Sequence, residues 1–430
     1  MKKISSWGNV KSVKYKNYLN FYSQKSNFNE NFTNSIVFGN GRSYGDVCFG
    51  LDSIILSKDL NRVIKFDEKT GSFTCEPGLL LNDLFKYIVP KGWFLPVVPG
   101  TQYISIGGAV ANDIHGKNHH RMGSFGNHIK EIKIKKTNNE TIVCSENLNE
   151  DLFRATIGGL GLTGIIIEVT IQLIKINNSF ISVSTLPFYS FKEYLELNSK
   201  LEKDYDYTVA WMDVDIRKKQ INGIFHSGNH SEKNERLVYD QKKLKLFPFN
   251  LPFSLINNFT IFFLNKFYFL LNKQKKDTLM KLNNFFFPLD ILYDWNKAYG
   301  KSGFYQYQFI LPLDRIEESV GEILNIIFDS KIKPALTVVK TFGDIPSKGY
   351  LSFSREGVSF AIDFPNKGRK LNLLFNKLDN IIFQYNGALY PAKDIRMSRE
   401  MFSFSFPLIK TFLKYKDPKM TSSFFERVKP

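Results

Sequence analysis

The chain has 430 residues, 43% of them hydrophobic and 15% aromatic, enough to bury a sizeable core in two or three domains. Three cysteines (Cys48, Cys75 and Cys144) are too few, and odd in number, for a disulfide framework, and they fit a reducing compartment. The net charge of +17 is spread along the sequence rather than gathered in one arm, which argues against nucleic acid and suits an anionic substrate or membrane surface.

The N-terminus is basic but no apolar run follows it, so it reads as mature protein of the cytoplasm. Residues 35–46, SIVFGNGRSYGD, form an apolar strand entering a glycine-rich turn. Residues 52–78 alternate as strand, turn and strand around KTG, which predicts a hairpin. A short helix is expected over 80–92, stopped by Pro90 and Gly92. The segment 98–126 holds a Pro-Gly turn, the Gly107-Gly108 pair and a cluster of His and Lys residues. A second hairpin follows around the Asn138-Asn139 turn. Residues 150–176 read as a helix, a glycine turn and a β-branched strand.

The character changes near 177–180. Beyond it, FISVSTL, TVAWMDVDI, YQYQFILP, PALTVVKTFGD and VSFAIDFP read as strands of an antiparallel sheet. Helices are expected over 316–331 and 370–387, the latter ended by Gly387, and YPAKDIR (390–396) reads as a loop. This order predicts an α+β class. Residues 246–273 are apolar and aromatic with basic flanks, but Pro248, Pro252, Asn257, Asn258, Asn265 and Lys266 interrupt any membrane span. Two readings stay open there: an interfacial helix, or an ordinary buried segment of the second domain.

Three glycine-rich turns carry the chemistry: GNGRSYGD (39–46), PGTQYISIGGAVAND (99–113) and GGLGLTGII (158–166). Glycine lets backbone approach a bulky anion, and successive N–H groups in such turns form an anion nest. Strands separate the turns, so they do not make the dinucleotide fingerprint, which needs one glycine run opening a helix. A cofactor would be held by several separate loops. Gln306 and Gln308 alternate with Tyr305 and Tyr307, which puts both glutamines on one strand face.

Together the turns resemble the vanillyl-alcohol oxidase superfamily of PCMH-type FAD-binding proteins. GNGRSYGD, DIHGKNHH with GSFGNH behind it, GLTGII, YQYQF and YPAKDIR resemble, more closely, the decaprenylphosphoryl-β-D-ribose 2-oxidase family, over most of the chain. The resemblance implies a two-domain α+β fold: an FAD-binding domain (1–177), a substrate domain on an antiparallel sheet (178–387) and a C-terminal return to the FAD domain (388–430). It implies FAD-dependent oxidation of the 2-hydroxyl of a polyprenyl-phosphate-linked pentofuranose to the 2-keto sugar, for cell-envelope or surface polysaccharide. A separate short-chain reductase would complete the epimerisation.

By motif match, the first cofactor residues are Gly39, Asn40, Gly41, Arg42, Ser43, Tyr44, Gly45 and Asp46. The second set is Gly100, Thr101, Ile106, Gly107, Gly108, Ala109, Asn112 and His115, joined by Ile167 and Tyr390. Tyr44, Lys117, Gln308, Lys340, Ser359, Ala361 and Lys393 would face the substrate. Alcohol oxidation needs a group to take the hydroxyl proton; the candidates, in order, are Lys393, His115 and Lys117. Converging lysines also suit a phosphodiester.

Each assignment has a plainer alternative. His115 and His119 stand four apart, a zinc spacing on a helix, but there is no HExxH and Gly116 weakens a helix, so no metal is expected. His119, His120 and His128 are expected to make structural hydrogen bonds. Lys340 could be a solvated strand-end lysine. The first glycine loop lacks the histidine that carries covalent flavin in many superfamily members, which predicts noncovalent FAD. The resemblance places Cys and Asn in actinobacterial members where this chain has Ala361 and Ser359, so the active-site wall is altered and the exact sugar and lipid stay open, though not the flavin chemistry. Two rivals remain: an oxidase of soluble alditols or aldonolactones, and a flavin-binding scaffold without turnover.

Overall fold

The computed structural model describes residues 1–28, 32–232, 237–239, 244–245, 252–273 and 275–430. The N-terminal part builds two sheets. Asn17–Asn20, Ser53–Leu56 and Ser35–Phe38 pair in parallel, with Ser53–Leu56 central and fully buried. Thr141–Ser145, Ile129–Lys135, Ile165–Gln172, Ser72–Cys75 and Val63–Asp67 follow one another in an antiparallel sheet. The expected hairpins 63–75 and 129–145 are its outer pairs. Ile165–Gln172 alternates buried and half-buried residues, and its β-branched side chains pack the core between the sheets.

Beyond residue 179 an antiparallel sheet takes over. Its strand order is Lys275–Lys281, Phe180–Phe188, Gln220–His230, Tyr207–Asp215, Leu336–Phe342, Gly357–Pro365, Phe304–Leu311 and Ala388–Leu389. Helices Phe191–Leu201, Ile316–Ser330 and Arg369–Gln384 cover one face. Tyr305 and Tyr307 point to that face and pack on Phe375 of the third helix. That helix ends one step earlier than expected: Asn386 takes the left-handed turn (φ 55°), and Gly387 donates its N–H to Ile382. The fold is α+β.

The opposite sheet face turns toward the glycine loops. After Ala388–Leu389 the chain runs back to the N-terminal part. Tyr44 N–H donates to the Ala392 carbonyl (3.0 Å), Thr421 N–H to Ser35 (2.9 Å), and Arg427 pairs with Asp46 (3.1 Å).

Residues 246–251, with Pro248 and the start of the apolar segment, lie outside the described residues. Its remainder forms helix Asn258–Asn272, capped by Asn257, whose side chain accepts from the N–H groups of Phe259 and Thr260. The buried-segment reading fails there. Ile261 and Asn265 are its buried residues and Tyr268 packs on Trp211, while Phe259, Phe263, Leu264, Phe267, Leu270 and Leu271 are exposed. Asn265 anchors the helix by donating to Asp213 (2.7 Å), which Lys333 also holds (2.7 Å). No helix among the described residues is long and apolar enough to cross a membrane.

Candidate active site

The three glycine turns meet at one cavity of about 300 Å³. Gly39, Asn40, Gly41, Arg42, Ser43 and Tyr44 form one side. A Cβ on Gly39 would stand 2.5 Å from Ser105 Oγ, so the two loops touch only because that side chain is absent. Asn40 Nδ2 donates to the Tyr103 carbonyl (2.6 Å) and fixes the loop to the second turn. The Arg42 guanidinium lies 3.9 Å over the Trp7 ring, with its Nε buried and unpartnered.

The Gly107-Gly108 pair sits in the first turn of a six-residue helix, Ile106–Ala111, rather than in an open loop. Ser105 caps it, accepting from Gly108 N–H. Gly107, Gly108, Ala111 and Asn112 face the cavity, joined by Gly100 and Thr101 from the preceding turn. The third turn is bonded onto this helix: Gly158 N–H donates to Val110 (2.9 Å) and Leu160 N–H to Ala111 (2.8 Å). Gly161, Gly164 and Ile166 complete that side.

The sheet face supplies the other wall through its register. Gln306 pairs with Asp363 and Asp363 with Leu336; Gln308 pairs with Ala361 and Ala361 with Val338; Ser359 pairs with Lys340. Side chains in register on one face stand side by side, so these groups form a single panel, and all line the cavity. Lys393 and Tyr390 close it from the turn after Ala388–Leu389. Lys393 Nζ lies 3.8 Å over the Tyr44 ring. Tyr390 donates to the Asn112 carbonyl (3.0 Å) and stacks on Phe353. Gln308 Nε2 lies 2.8 Å from His115 Nε2.

Burial governs the charges. It lowers Lys393 to about 7, with Asp363 opposing and Lys340 adding to the fall. Burial lowers Lys340 to about 8. His115 falls well below its ordinary value, first by burial and then by the charges of Lys340, His119 and Lys393, so the imidazole is neutral. Asp363 rises to about 7 by burial, against Gln306 and Lys393.

Several expected residues lie off the cavity. Lys117 follows Gly116 at a bend; its ammonium donates to the Phe285 carbonyl and sits 4.3 Å over the Phe285 ring. Burial lowers it to about 7, but it does not share the wall with Lys393. Asp46 is buried away from the cavity, paired with Lys11 (3.4 Å) and Arg427 (3.1 Å). Gly45 packs against backbone, where a Cβ would stand 1.7 Å from the Asp394 carbonyl oxygen. Ile106 and Ala109 occupy the core face of their helix, and Ile167 the core face of its strand, where Ile166 takes the cavity side.

The other histidines divide. His120 Nε2 lies 3.0 Å from the Tyr205 carbonyl and His128 Nε2 lies 2.8 Å from that of Met122. His119 makes no hydrogen bond; its ring stacks on Phe342 (4.6 Å), and burial drops it to about 4. His119 is on helix His119–Met122 and His115 is not. Among the described residues no group of three His, Cys, Asp or Glu side chains is placed to hold a metal ion. Lys340 is half-buried in the panel and lines the cavity, not solvated at a strand end. Sequence reasoning missed Trp7, Ser105, Trp295 and Asp363 on the cavity wall. Alternation from Ser359 and Ala361 would have found Asp363.

A glycine-lined cradle facing a wall of buried amine, amide and carboxylate defines an FAD-dependent oxidoreductase of the PCMH-type fold, and residues 28–145 match the FAD binding domain family. The chain is 32% identical to the decaprenylphosphoryl-β-D-ribose oxidase of Mycolicibacterium smegmatis, over 88% of this chain and 84% of that protein. It is 25% identical to an uncharacterised protein of Streptomyces coelicolor, over 81% and 97%. Its likeness to mouse L-gulonolactone oxidase is 28%, over 41% of this chain and 39% of that one. The chain belongs to the decaprenylphosphoryl-β-D-ribose oxidase family and carries out FAD-dependent oxidation of a sugar-type substrate.

The cradle fits FAD on its own features. Gly39, Gly41, Gly107 and Gly108 line it with open backbone, and buried Arg42 Nε and Asn112 Oδ1 have no protein partner. When bound there, FAD supplies a two-electron acceptor.

Proposed function

We propose that the protein oxidises the 2-hydroxyl of a ribofuranose carried on a polyprenyl phosphate to the 2-keto sugar, for cell-envelope or surface polysaccharide. The observation that carries this reading is the panel of Lys340, Gln308, Ser359 and Lys393 opposite the glycine cradle. Gln308 and Ser359 suit sugar hydroxyls. Lys340, with its ammonium held in a dry wall, suits the phosphodiester. Lys393, drawn to about 7, is the base that takes the hydroxyl proton, and neutral His115, fixed by Gln308, orients the sugar beside it. Tyr390 and Asn112 hold the seam between cradle and panel closed to water.

FAD is held noncovalently in this reading. A short-chain reductase takes the ketone product onward to the epimer. The protein works in the cytoplasm, peripherally at the inner membrane, where the exposed face of helix Asn258–Asn272 meets the lipid that carries the sugar. Anaerobic mixing of the yellow holoprotein with farnesylphosphoryl ribose is expected to bleach the flavin. Bleaching by free alditols or aldonolactones alone would favour the soluble-sugar oxidase, and no bleaching by either would favour the scaffold. Phe259→Glu with Phe267→Glu should abolish sedimentation with anionic vesicles; unchanged sedimentation removes the membrane role.

A further inference from the structure

Asp363 is the one acidic side chain lining the cavity among the described residues. It is 1% exposed. One carboxylate oxygen accepts from Gln306 Nε2 at 2.7 Å, and the other, Oδ2, is buried with no partner. A buried acceptor left without a donor is costly, and more so when charged, so it marks a place where a donor arrives. Lys393 lines the same cavity and its charge acts on Asp363, although the two form no direct ion pair. Lys393 instead rests over the Tyr44 ring.

We propose that Asp363 is a positioning residue for the oxidation, acting through Lys393: its free oxygen orients the Lys393 amine toward the substrate hydroxyl and receives the ammonium formed when that proton is taken. The proposal rests on the alcohol-oxidation reading above. The carbinol C–H bond breaks and its hydrogen leaves with both electrons to the flavin, which is reduced. The O–H bond breaks and its proton bonds to the neutral Lys393 nitrogen. The carbon–oxygen bond becomes a carbonyl, and the ammonium later releases its proton to water.

The surroundings set the direction of the effect. Lys393 is faced by Asp363, Lys340, Tyr44 and His115, and Asp363 by the Tyr44 and Tyr299 phenols. Asp363 is the one charge of these that favours the ammonium, beside the Tyr44 ring face, while Lys340 opposes it. Removing the carboxylate therefore makes Lys393 easier to deprotonate.

Competitive labelling of the holoprotein with acetic anhydride, read by peptide mass spectrometry across pH, reports the titration of Lys393 without any substrate. In Asp363→Asn the labelling midpoint should fall by about one pH unit, roughly a tenfold gain in Lys393 reactivity on the acid side. Asp363→Glu should restore the wild-type midpoint, which a packing role alone would not. The acid limb of flavin reduction by farnesylphosphoryl ribose should move down in step. An unmoved midpoint in folded Asp363→Asn overturns the proposal, as does a moved midpoint with an unmoved rate profile. Should Asp363→Asn lose its flavin, Gln306→Leu serves: it strips the carboxylate of its donor and should move the midpoint the same way, and no movement again overturns the idea. A wild-type flavin that farnesylphosphoryl ribose leaves yellow would instead sink the substrate reading, while the labelling shift would still stand.

Discussion

The cradle wall presents backbone that side chains have vacated, whereas the sheet wall across from it presents side chains that water has vacated. On the first, Gly39, Gly41, Gly107 and Gly108 bring peptide groups against the cavity, and little there titrates near neutrality. On the second, buried Asp363 and half-buried Lys340 and Lys393 stand among amides, and each is displaced toward neutral pH. Binding of a large, flat, anionic cofactor needs space and N–H groups. Proton transfer needs groups poised near the working pH. The two requirements have been met by separate elements of the chain, so they should fail separately.

The largest break is expected on the sheet wall. Lys393→Met removes the proton acceptor while leaving the cradle intact. Flavin reduction by farnesylphosphoryl ribose should fall by about 100-fold or more, the usual span of a lost general base, with bound FAD unchanged by absorbance. Loss of FAD in this variant would mean that the two walls are not separable.

Gly45→Ala strikes the joint where the first glycine loop packs on the turn that carries Lys393. Its Cβ would stand 1.7 Å from a backbone oxygen of Asp394, and backbone cannot rotate aside as a side chain can. A loss of roughly 3 kcal/mol or more in stability is expected, with flavin lost before the fold. Gly100→Ala is the control. Nothing lies within 4 Å of its added Cβ, so its melting temperature should stay at the wild-type value.

The contrast also explains what the sequence revealed. Glycine marks its own position, so the cradle loops were legible from three short motifs. The individual contacts were not, because motif matching takes residues in a run while helices and strands turn only some of them inward. Ile106, Ala109 and Ile167 fell on the core side for that reason. The sheet wall was legible where alternation was followed, at Gln306 and Gln308, and missed where it was not pursued, at Asp363. Trp7 and Trp295 reach the cavity from segments with no local signal at all.

A smaller effect separates the walls by pH. Lys393 must be neutral to accept a proton, and burial sets its change near 7. Flavin reduction should therefore rise about tenfold per pH unit below 7 and level off above it, while FAD affinity stays flat across that range. A rate that is constant from pH 5 to 8, on the order of the wild-type plateau, would remove Lys393 as the base.

Lys117 offers the smallest and most discriminating change. Motif and spacing put it beside His115, as a substrate contact and third candidate base. Its ammonium is instead spent on the Phe285 carbonyl and ring, and it does not line the cavity, although the Lys340 charge reaches it. A methionine fills nearly the same volume without a buried charge, so Lys117→Met should keep stability within about 1 kcal/mol. Flavin reduction should change by less than about threefold, and the acid limb should stay where it is, because nothing on the reacting wall is removed. A hundredfold loss with an intact flavin spectrum would mean that the lysine swings into the cavity when substrate arrives. The sheet wall would then be completed by ligand rather than built in advance.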